Sequence, residues 1–449
     1  MKSFFLSFLF VLFASTASAA DRPNVILILA DDMAIGDLSI FNNGLSRTPR
    51  LDALVAESVY FENAYSGSPV CAPSRASLFT GRYPHRTGSV TLNQIKFPEL
   101  TRLHLDETTI ADRFSAEGYA TGLVGKWHSG PGAAYHPLKR GFDSYIGFND
   151  SLDIKTYYEY QLDVQGTYEP FEGPNLTDVF TEHAIKFVRE HRDEPFFLHL
   201  AHYAPHRPLS APQDLIDHYL AKGLPEKTAT VYAMIEVMDR GIGELLDELD
   251  KLKLAERTLV FFASDNGPDP LVGERFNGTN RGAKYMVTEG GIHVPLMMRW
   301  KGKLEPGRRE ELVHFTDVVP TLMEICDLKP LPNDKPLDGT SFAGLLSDTY
   351  QKTQSPELRF WQWNRKTPQY SHNAAVRSNQ WKLVRPFLTS NIPKAESTEP
   401  PRFYNLTNDP EEQIDLSAEQ PELRERLINE LTRWSTEVEH DRVHSQPAP

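Results

Sequence analysis

Asp31 and Asp32 close the apolar run "NVILILADD", and Asp265 with Asn266 close a second, "RTLVFFASDNG", far downstream. Three carboxylates and an amide oxygen, with no thiolate or imidazole among them, make a hard oxygen donor set. Such a set favours Ca2+ or Mg2+ over zinc, because hard cations prefer anionic and carbonyl oxygen. Asp-Asp and Asp-Asn-Gly are also common turn formers, so either pair alone fits an ordinary turn. Two such pairs, each capping an apolar strand, point instead to a shared cation cage.

Basic and nucleophilic side chains recur in the same kind of place. "GYATGLVGKWHSG" puts Lys126 and His128 just after a short apolar strand, two residues apart and so on one side of an extended chain. "HYAPH" adds His202 and His206 at the end of another apolar run, and "NRGAKYMVTEGG" carries Arg281 and Lys284 in a Gly-rich loop. Taken singly, each fits a solvated cation or a satisfied histidine. Cys71, one of two cysteines, stands in "SPVCAPSRASLF" four residues before Arg75. Ser74 is a good N-cap type, which places Cys71 just ahead of a helix start, where the dipole and Arg75 favour negative charge. The second cysteine, Cys326, shares helical spacing with Val318, Leu322 and Ile325 and reads as a packed core thiol. Cys71 is then left without a disulfide partner. A buried thiol, a metal ligand and a nucleophile all stay open for it.

Hydrophobic patterning shows which elements must bring these residues together. Val25–Ala30, Leu259–Ala263 and the run from Phe196 are unalternated apolar stretches, as in strands buried on both faces of a parallel sheet. Val231, Ile235, Met238, Ile242, Leu245 and Leu249 follow helical spacing between the last two in chain order. Strand, helix, strand is a βαβ crossover, so the strands run parallel with their C-terminal ends on one edge. That edge is where open α/β sheets place their sites. After about residue 340, "ELRFWQWN", "NAAVRSNQWKLVR" and "PRFYNL" alternate like strands, and "QPELRERLINELTRWSTEV" reads as a helix. They predict a small antiparallel sheet with one terminal helix.

A chain of 449 residues with ordinary globular composition buries a large core and divides into two domains. Its net charge of −14 argues against a nucleic-acid binder that works by bulk electrostatics, and any anionic substrate needs a local basic pocket. "MKSFFLSFLFVLFASTASAA" has a cationic start, an apolar stretch and a small-residue cleavage site after Ala19. Residues 1–19 therefore read as a signal peptide, and the mature protein as a soluble periplasmic or extracellular one without a membrane span. Oligomeric state leaves no signal in the sequence.

"CAPSRASLFTG" resembles the active-site signature of the type I sulfatases, Cys-x-Pro-Ser-Arg followed by Thr-Gly. "NVILILADDMAIGDL", "GKWHSG", "HYAPHRP", "FFASDNG" and "RGAKYMVTEGG" resemble that family's other blocks, in its order, across Pro23–Asp327. "RFYNLTNDPEEQIDL" resembles its tail; Phe79 and Ser129 stand where Leu is common. The resemblance implies an alkaline-phosphatase-like α/β fold, a large, mixed, mostly parallel sheet sandwiched by helices. That catalytic domain would span residues 20–340, with a smaller α+β subdomain over 341–449. It also implies that a formylglycine-generating maturation enzyme oxidises Cys71 to Cα-formylglycine, whose hydrate attacks sulfur and passes through a covalent sulfate intermediate. Asp31, Asp32, Asp265, Asn266 and the modified Cys71 then resemble the ligands of Ca2+, in preference to Mg2+. Arg75 would orient the hydrate, Lys126 and Lys284 would hold the sulfate, His206 would act as general acid and His128 as base.

Leaving-group specificity falls to the surrounding loops. His136, Asp150, Arg281, Trp361, Trp363 and Arg365 have types suited to gripping a sugar ring or its anionic groups. Export and a polar, aromatic loop set favour a sulfated carbohydrate as substrate, with aryl sulfates as competitors. Two other classes share the framework: phosphatases or phosphonate ester hydrolases of the superfamily, and a non-catalytic binder of sulfated glycans with Cys71 unmodified. The complete cysteine motif disfavours the first, and intact Lys126, His128, His206 and Lys284 disfavour the second.

Overall fold

The computed structural model describes residues 22–273, 275–346, 358–387 and 395–444; the expected signal peptide lies outside them. In chain order the strands of the main sheet are β1 (Asn24–Ala30), β2 (Val59–Tyr65), β3 (Ala120–Lys126), β4 (Ser144–Phe148), β5 (Ile154–Thr156) and β6 (Glu159–Val164). They continue with β7 (Thr167–Glu172), β8 (Phe196–Ala201), β9 (Thr258–Ser264), β10 (Leu296–Arg299) and β11 (Gly307–His314). The spatial order is β11-β2-β10-β9-β1-β8-β3-β4-β6-β5, with β7 paired to β6. β9, β1, β8, β3 and β4 run parallel through the centre, while β10 is antiparallel to both β9 and β2. The parallel centre is the one that the apolar runs predict, and the whole is the mixed, mostly parallel α/β sheet that the family resemblance implies.

β1 shows why those runs lack alternation. Ile26, Ile28 and Ala30 join one core, with the helices Leu176–Glu190 and Glu226–Lys251. Val25, Leu27 and Leu29 join the other, with the helices Cys71–Thr80, Ile110–Ala116 and Val318–Cys326. Both faces are dry, so both parities must be apolar. Cys326 lies in the second core, as its helical spacing predicts. Register then sets the site: Ala30 pairs with Ser264, so the next residues, Asp31 and Asp265, leave the sheet side by side. The Asp265 N–H donates to the Ala30 carbonyl at 3.0 Å, and the Asp31 N–H to Ala204 at 3.1 Å. The third apolar run ends earlier than its composition suggests. β8 stops at Ala201, and His202–His206 form a turn beyond it.

A second, antiparallel sheet follows: β12 (Arg359–Gln362), β13 (Ala374–Ser378), β14 (Trp381–Arg385) and β15 (Arg402–Asn405). Here the alternation has a clear meaning. Phe360, Val376, Leu383 and Phe403 face the terminal helix Pro421–His444, packing on Leu427, Leu431 and Trp434. Their neighbours Trp361, Ala375, Val384 and Tyr404 face the large sheet's elements, packing on Tyr65, Val287, Ile292 and Leu312. Among the described residues no helix is long and apolar enough to cross a membrane.

A charged cluster sits inside that second interface. Lys382 is fully buried, with Nζ 2.7 Å from Glu289 and 2.9 Å from Glu412. Glu412 also accepts the Glu289 N–H at 2.9 Å. Burial pushes the Glu412 carboxyl up, and Lys382 opposes the shift. Lys382→Met would leave two buried carboxylates facing each other with only Arg377, 3.8 Å from Glu289, to offset them. The expected loss is on the order of 3–5 kcal/mol, read as a lowered midpoint in urea denaturation; an unchanged midpoint would assign the interface to its apolar contacts alone.

Candidate active site

The C-terminal ends of β1, β9, β8 and β3 meet the start of the Cys71–Thr80 helix. Cys71 is the first residue of that helix and Val70 its N-cap, so Ser74 is not the cap that its type suggests but a buried residue of the first turn. Cys71 is 1% exposed. Its thiol donates to Asp31 Oδ1 at 3.4 Å and accepts from Lys284 Nζ at 3.2 Å. Burial, Asp265 and Asp31 push the thiol well up, which favours its protonated form. Both cysteines are free.

Three carboxylates and three cations interleave around it, all essentially without solvent contact. Arg75 Nε donates to Asp265 Oδ2 at 2.9 Å, and its Nη1 donates to the Lys126 carbonyl at 3.0 Å. Lys126 Nζ lies 2.5 Å from Asp31 Oδ2, and Lys284 Nζ lies 2.6 Å from Asp32 Oδ1. Burial raises the Asp32 carboxyl, but Lys284, by charge and hydrogen bond, with His206 and Lys126 beside it, outweighs burial and lowers Asp32 overall. Asp31, Asp32, Cys71 and His206 each offer a ligand atom, all within 4.8 Å of one another. Asn266 adjoins them: its Nδ2 donates to Asp32 Oδ1 at 2.6 Å, while its Oδ1 is buried with no hydrogen-bond partner among the described residues. A buried carbonyl oxygen without a donor is costly, and beside three carboxylates it completes an oxygen set that fits a hard divalent cation.

Three residues of the site sit in the left-handed backbone region, Asp32 (φ 68°), His128 (φ 52°) and Tyr285 (φ 80°). Each costs about 1 kcal/mol or more for a residue with a Cβ, and such outliers gather at functional sites. The turn at His128 corrects the extended geometry that the sequence suggests for Lys126 and His128. β3 carries Lys126 to its last position, and the left-handed turn, not strand alternation, sets His128. Burial, Lys126, Arg75 and Lys284 hold the His128 imidazole well below its ordinary value, hence neutral.

His206 stacks on Tyr203 with ring centroids 4.7 Å apart. Its Nδ1 lies 2.6 Å from the Arg207 carbonyl and must donate, since a carbonyl only accepts; Nε2 then faces Asp32 at 3.7 Å. Burial and Lys284 push His206 down to about 3. Tyr203 also carries Lys126 Nζ 5.4 Å from its ring centroid. Sequence reasoning missed this tyrosine, and its place between two site histidines in "HYAPH" was the signal available. His202 is fully buried and shifted by burial alone.

The candidate substrate residues divide. Trp361 and Trp363 are 1% and 0% exposed, and Trp361 Nε1 donates to the Ser66 carbonyl, so neither indole is open to stack on a sugar. His136 Nε2 lies 2.8 Å from Asp163, and its Nδ1 accepts the Leu138 N–H; it braces β6 instead of offering a free face. Arg281 is exposed but donates to the Glu412 carbonyl and the Tyr404 hydroxyl, clipping its loop to the second sheet. Asp150 and Arg365 are partly exposed. Type alone could not separate an outward aromatic from one filling the seam between two sheets.

The profile of the sulfatase family matches residues 23–328, and that of the N-sulphoglucosamine sulphohydrolase C-terminal region matches residues 282–437. Human N-acetylgalactosamine-6-sulfatase is 30% identical over 96% of this chain and 88% of its own length. Human arylsulfatase A is 30% identical over 90% and 85%. The crystal structure of Ps i-CgsB in complex with k-i-k-neocarrahexaose superposes with a TM-score of 0.80 at 30% identity, covering 92% of this chain and 93% of that one. With a family profile over more than half of its length and relatives matched nearly end to end, the chain belongs to the sulfatase family of the alkaline-phosphatase-like superfamily and is a sulfuric ester hydrolase.

Proposed function

We propose that this enzyme is exported and removes sulfate from a sulfated carbohydrate, with Cys71 matured to formylglycine and Ca2+ held by Asp31, Asp32, Asp265, Asn266 and the matured side chain. The reading rests above all on Cys71, a protonated thiol at a helix start in contact with Asp31 and Lys284. As a thiol it is inert there; as a precursor it stands where an oxygen nucleophile is needed. When present, the formylglycine supplies that oxygen, and the cation supplies positive charge to the sulfate oxygens. The mature unit is read as a catalytic domain to residue 340 and an α+β subdomain from 341, acting outside the cytoplasm after loss of residues 1–19.

The chain's own residues then divide the work. Arg75, fixed by Asp265 and the Lys126 carbonyl, orients the matured side chain. Lys126 and Lys284, paired to Asp31 and Asp32, become free to meet sulfate oxygens once a divalent ion shares those carboxylates. His128, kept neutral by burial and three cations, is suited to accept a proton. His206 holds its Nδ1 proton on Arg207, so donating to the leaving oxygen from Nε2 requires the imidazolium. The Asp32 carboxylate at 3.7 Å favours that form but is outweighed by burial and Lys284, so the incoming sulfate's negative charge must supply the rest. A carbohydrate substrate is supported by the bound saccharide of Ps i-CgsB and by the named substrate of N-acetylgalactosamine-6-sulfatase. Aryl sulfates are the second reading, supported by the likeness to arylsulfatase A.

Released sulfate from a panel of sulfated saccharides should exceed that from aryl sulfates and far exceed phosphate from matched phosphate esters; a strong phosphate preference would overturn the substrate class. Peptide mass spectrometry of natively matured protein should find the Cys71 peptide without sulfur, and a fully intact thiol in active enzyme would remove formylglycine from the mechanism. Asp265→Ala should lower bound metal and kcat together, the latter by roughly a hundredfold or more. Full metal content with lost activity would instead reduce Asp265 to its contact with Arg75.

A further inference from the structure

The ring of Tyr285 lies beside two cations. Lys284 Nζ is 5.9 Å and Arg365 Cζ 5.7 Å from its centroid, and Arg365 lies 5.9 Å over the Trp363 indole. The Tyr285 and Trp363 rings stand 5.5 Å apart, so together they form one aromatic wall beneath the Arg365 guanidinium. The charges nearby differ in what they already hold. Lys284 is taken by Asp32 and Cys71, and Arg207 by Asp269 at 2.7 Å. The Arg365 guanidinium has only its aromatic contacts, with no carboxylate or hydrogen-bond acceptor among the described residues, and the residue is only partly buried.

The wall is fixed in place from behind. Asn373, 2% exposed, donates from Nδ2 to the carbonyls of Tyr285 at 2.7 Å and Trp363 at 2.8 Å, and its Oδ1 accepts the Val287 N–H at 3.0 Å. Thr91 fixes the other flank, accepting the Lys366 N–H at 3.2 Å and donating to the Asn364 carbonyl at 3.3 Å. Tyr285 is held in its left-handed conformation by this frame. An unpaired guanidinium stacked on a rigid aromatic surface is a preorganised receptor for an oxyanion, because its planar N–H fork matches sulfate and carboxylate geometry.

We propose that Arg365, set on Tyr285 and Trp363, is a specificity-determining residue that receives a second anionic group of the substrate, a sulfate or a carboxylate, while Lys284 on the same ring engages the sulfate that is cleaved. The proposal rests on the sulfated-carbohydrate reading above. It makes the preferred substrate at least a dianion, with both charges on the side of the site that carries the second sheet's β12–β13 connection. A leaving group without a second charge gains nothing from Arg365.

Three probes test it: a saccharide with only the scissile sulfate, the same saccharide with a second sulfate, and one with a carboxylate in its place. Wild-type kcat/KM should favour one or both dianions over the monosulfate by about tenfold to a hundredfold, the range of a charged hydrogen-bonded contact. Arg365→Ala should abolish that ratio mainly through KM, and Arg365→Lys should restore part of it. Which dianion loses more distinguishes sulfate from carboxylate as the natural group. If Arg365→Ala fails to fold, Arg365→Lys and Arg365→Met keep the stem on the wall and carry the same comparison. A ratio near one in the wild type, or a ratio that survives both neutral variants, overturns the assignment. Failure of every saccharide while aryl sulfates are cleaved would overturn the carbohydrate reading instead, so the two failures are distinguishable.

Discussion

Three buried carboxylates set against three buried cations govern this molecule. Six charged side chains at the dry edge of a sheet are tolerable only as paired opposites, Asp31, Asp32 and Asp265 against Arg75, Lys126 and Lys284. Each ion is therefore tied to the position of the others, and the fold must hold six charges from five separate segments to within hydrogen-bonding distance. Strand register does most of this. β1 and β9 deliver their acids side by side because Ala30 pairs with Ser264, and β3 delivers Lys126 from beyond β8. The helix at Cys71 brings Arg75 from above the same edge.

Lys284 comes from a loop and not from a strand end or a helix. That loop is held by backbone and side-chain ties on both sides. The Lys284 N–H donates to the Pro268 carbonyl and the Tyr285 N–H to Pro69, binding the loop to the Asn266 turn and to the approach of Cys71. From the other side Asn373 grips Tyr285 and Val287, Glu412 grips Glu289, and Lys382 bridges both glutamates. The strained backbone at Tyr285 persists only because so many groups define it.

The strands that end in acids were legible because both core faces demand apolar residues, and few other arrangements produce a run without alternation. The convergence of Asp31, Asp32, Asp265 and Asn266 followed from parallel topology alone. Local chemistry was harder to read. Ser74 has the composition of a cap, but the helix starts three residues earlier, where Val70 is extended. Lys126 and His128 look like neighbours on one strand face, yet the chain turns left-handed at His128 and its path is set by tertiary packing. Trp361 reads as a sugar platform until the second sheet's inner face is seen to need large apolar groups, and Trp363 until it is found fully buried against Tyr285. Tyr203 and Asn373 went unnoticed because their importance lies in contacts with residues distant in sequence.

The ties on the Lys284 loop bear on how such a chain can be inherited. The second sheet looks like an appendage that could be exchanged between relatives to alter the pocket. Asn373, Lys382 and Glu412 nevertheless hold the backbone that presents Lys284, and the C-terminal profile match begins at residue 282, inside that loop. A crossover placed between the two sheets would separate a loop from the residues that shape it. Because β10 and β11 of the main sheet lie between that loop and the second sheet in sequence, exchanging the second sheet alone would carry its cost into the backbone that presents Lys284.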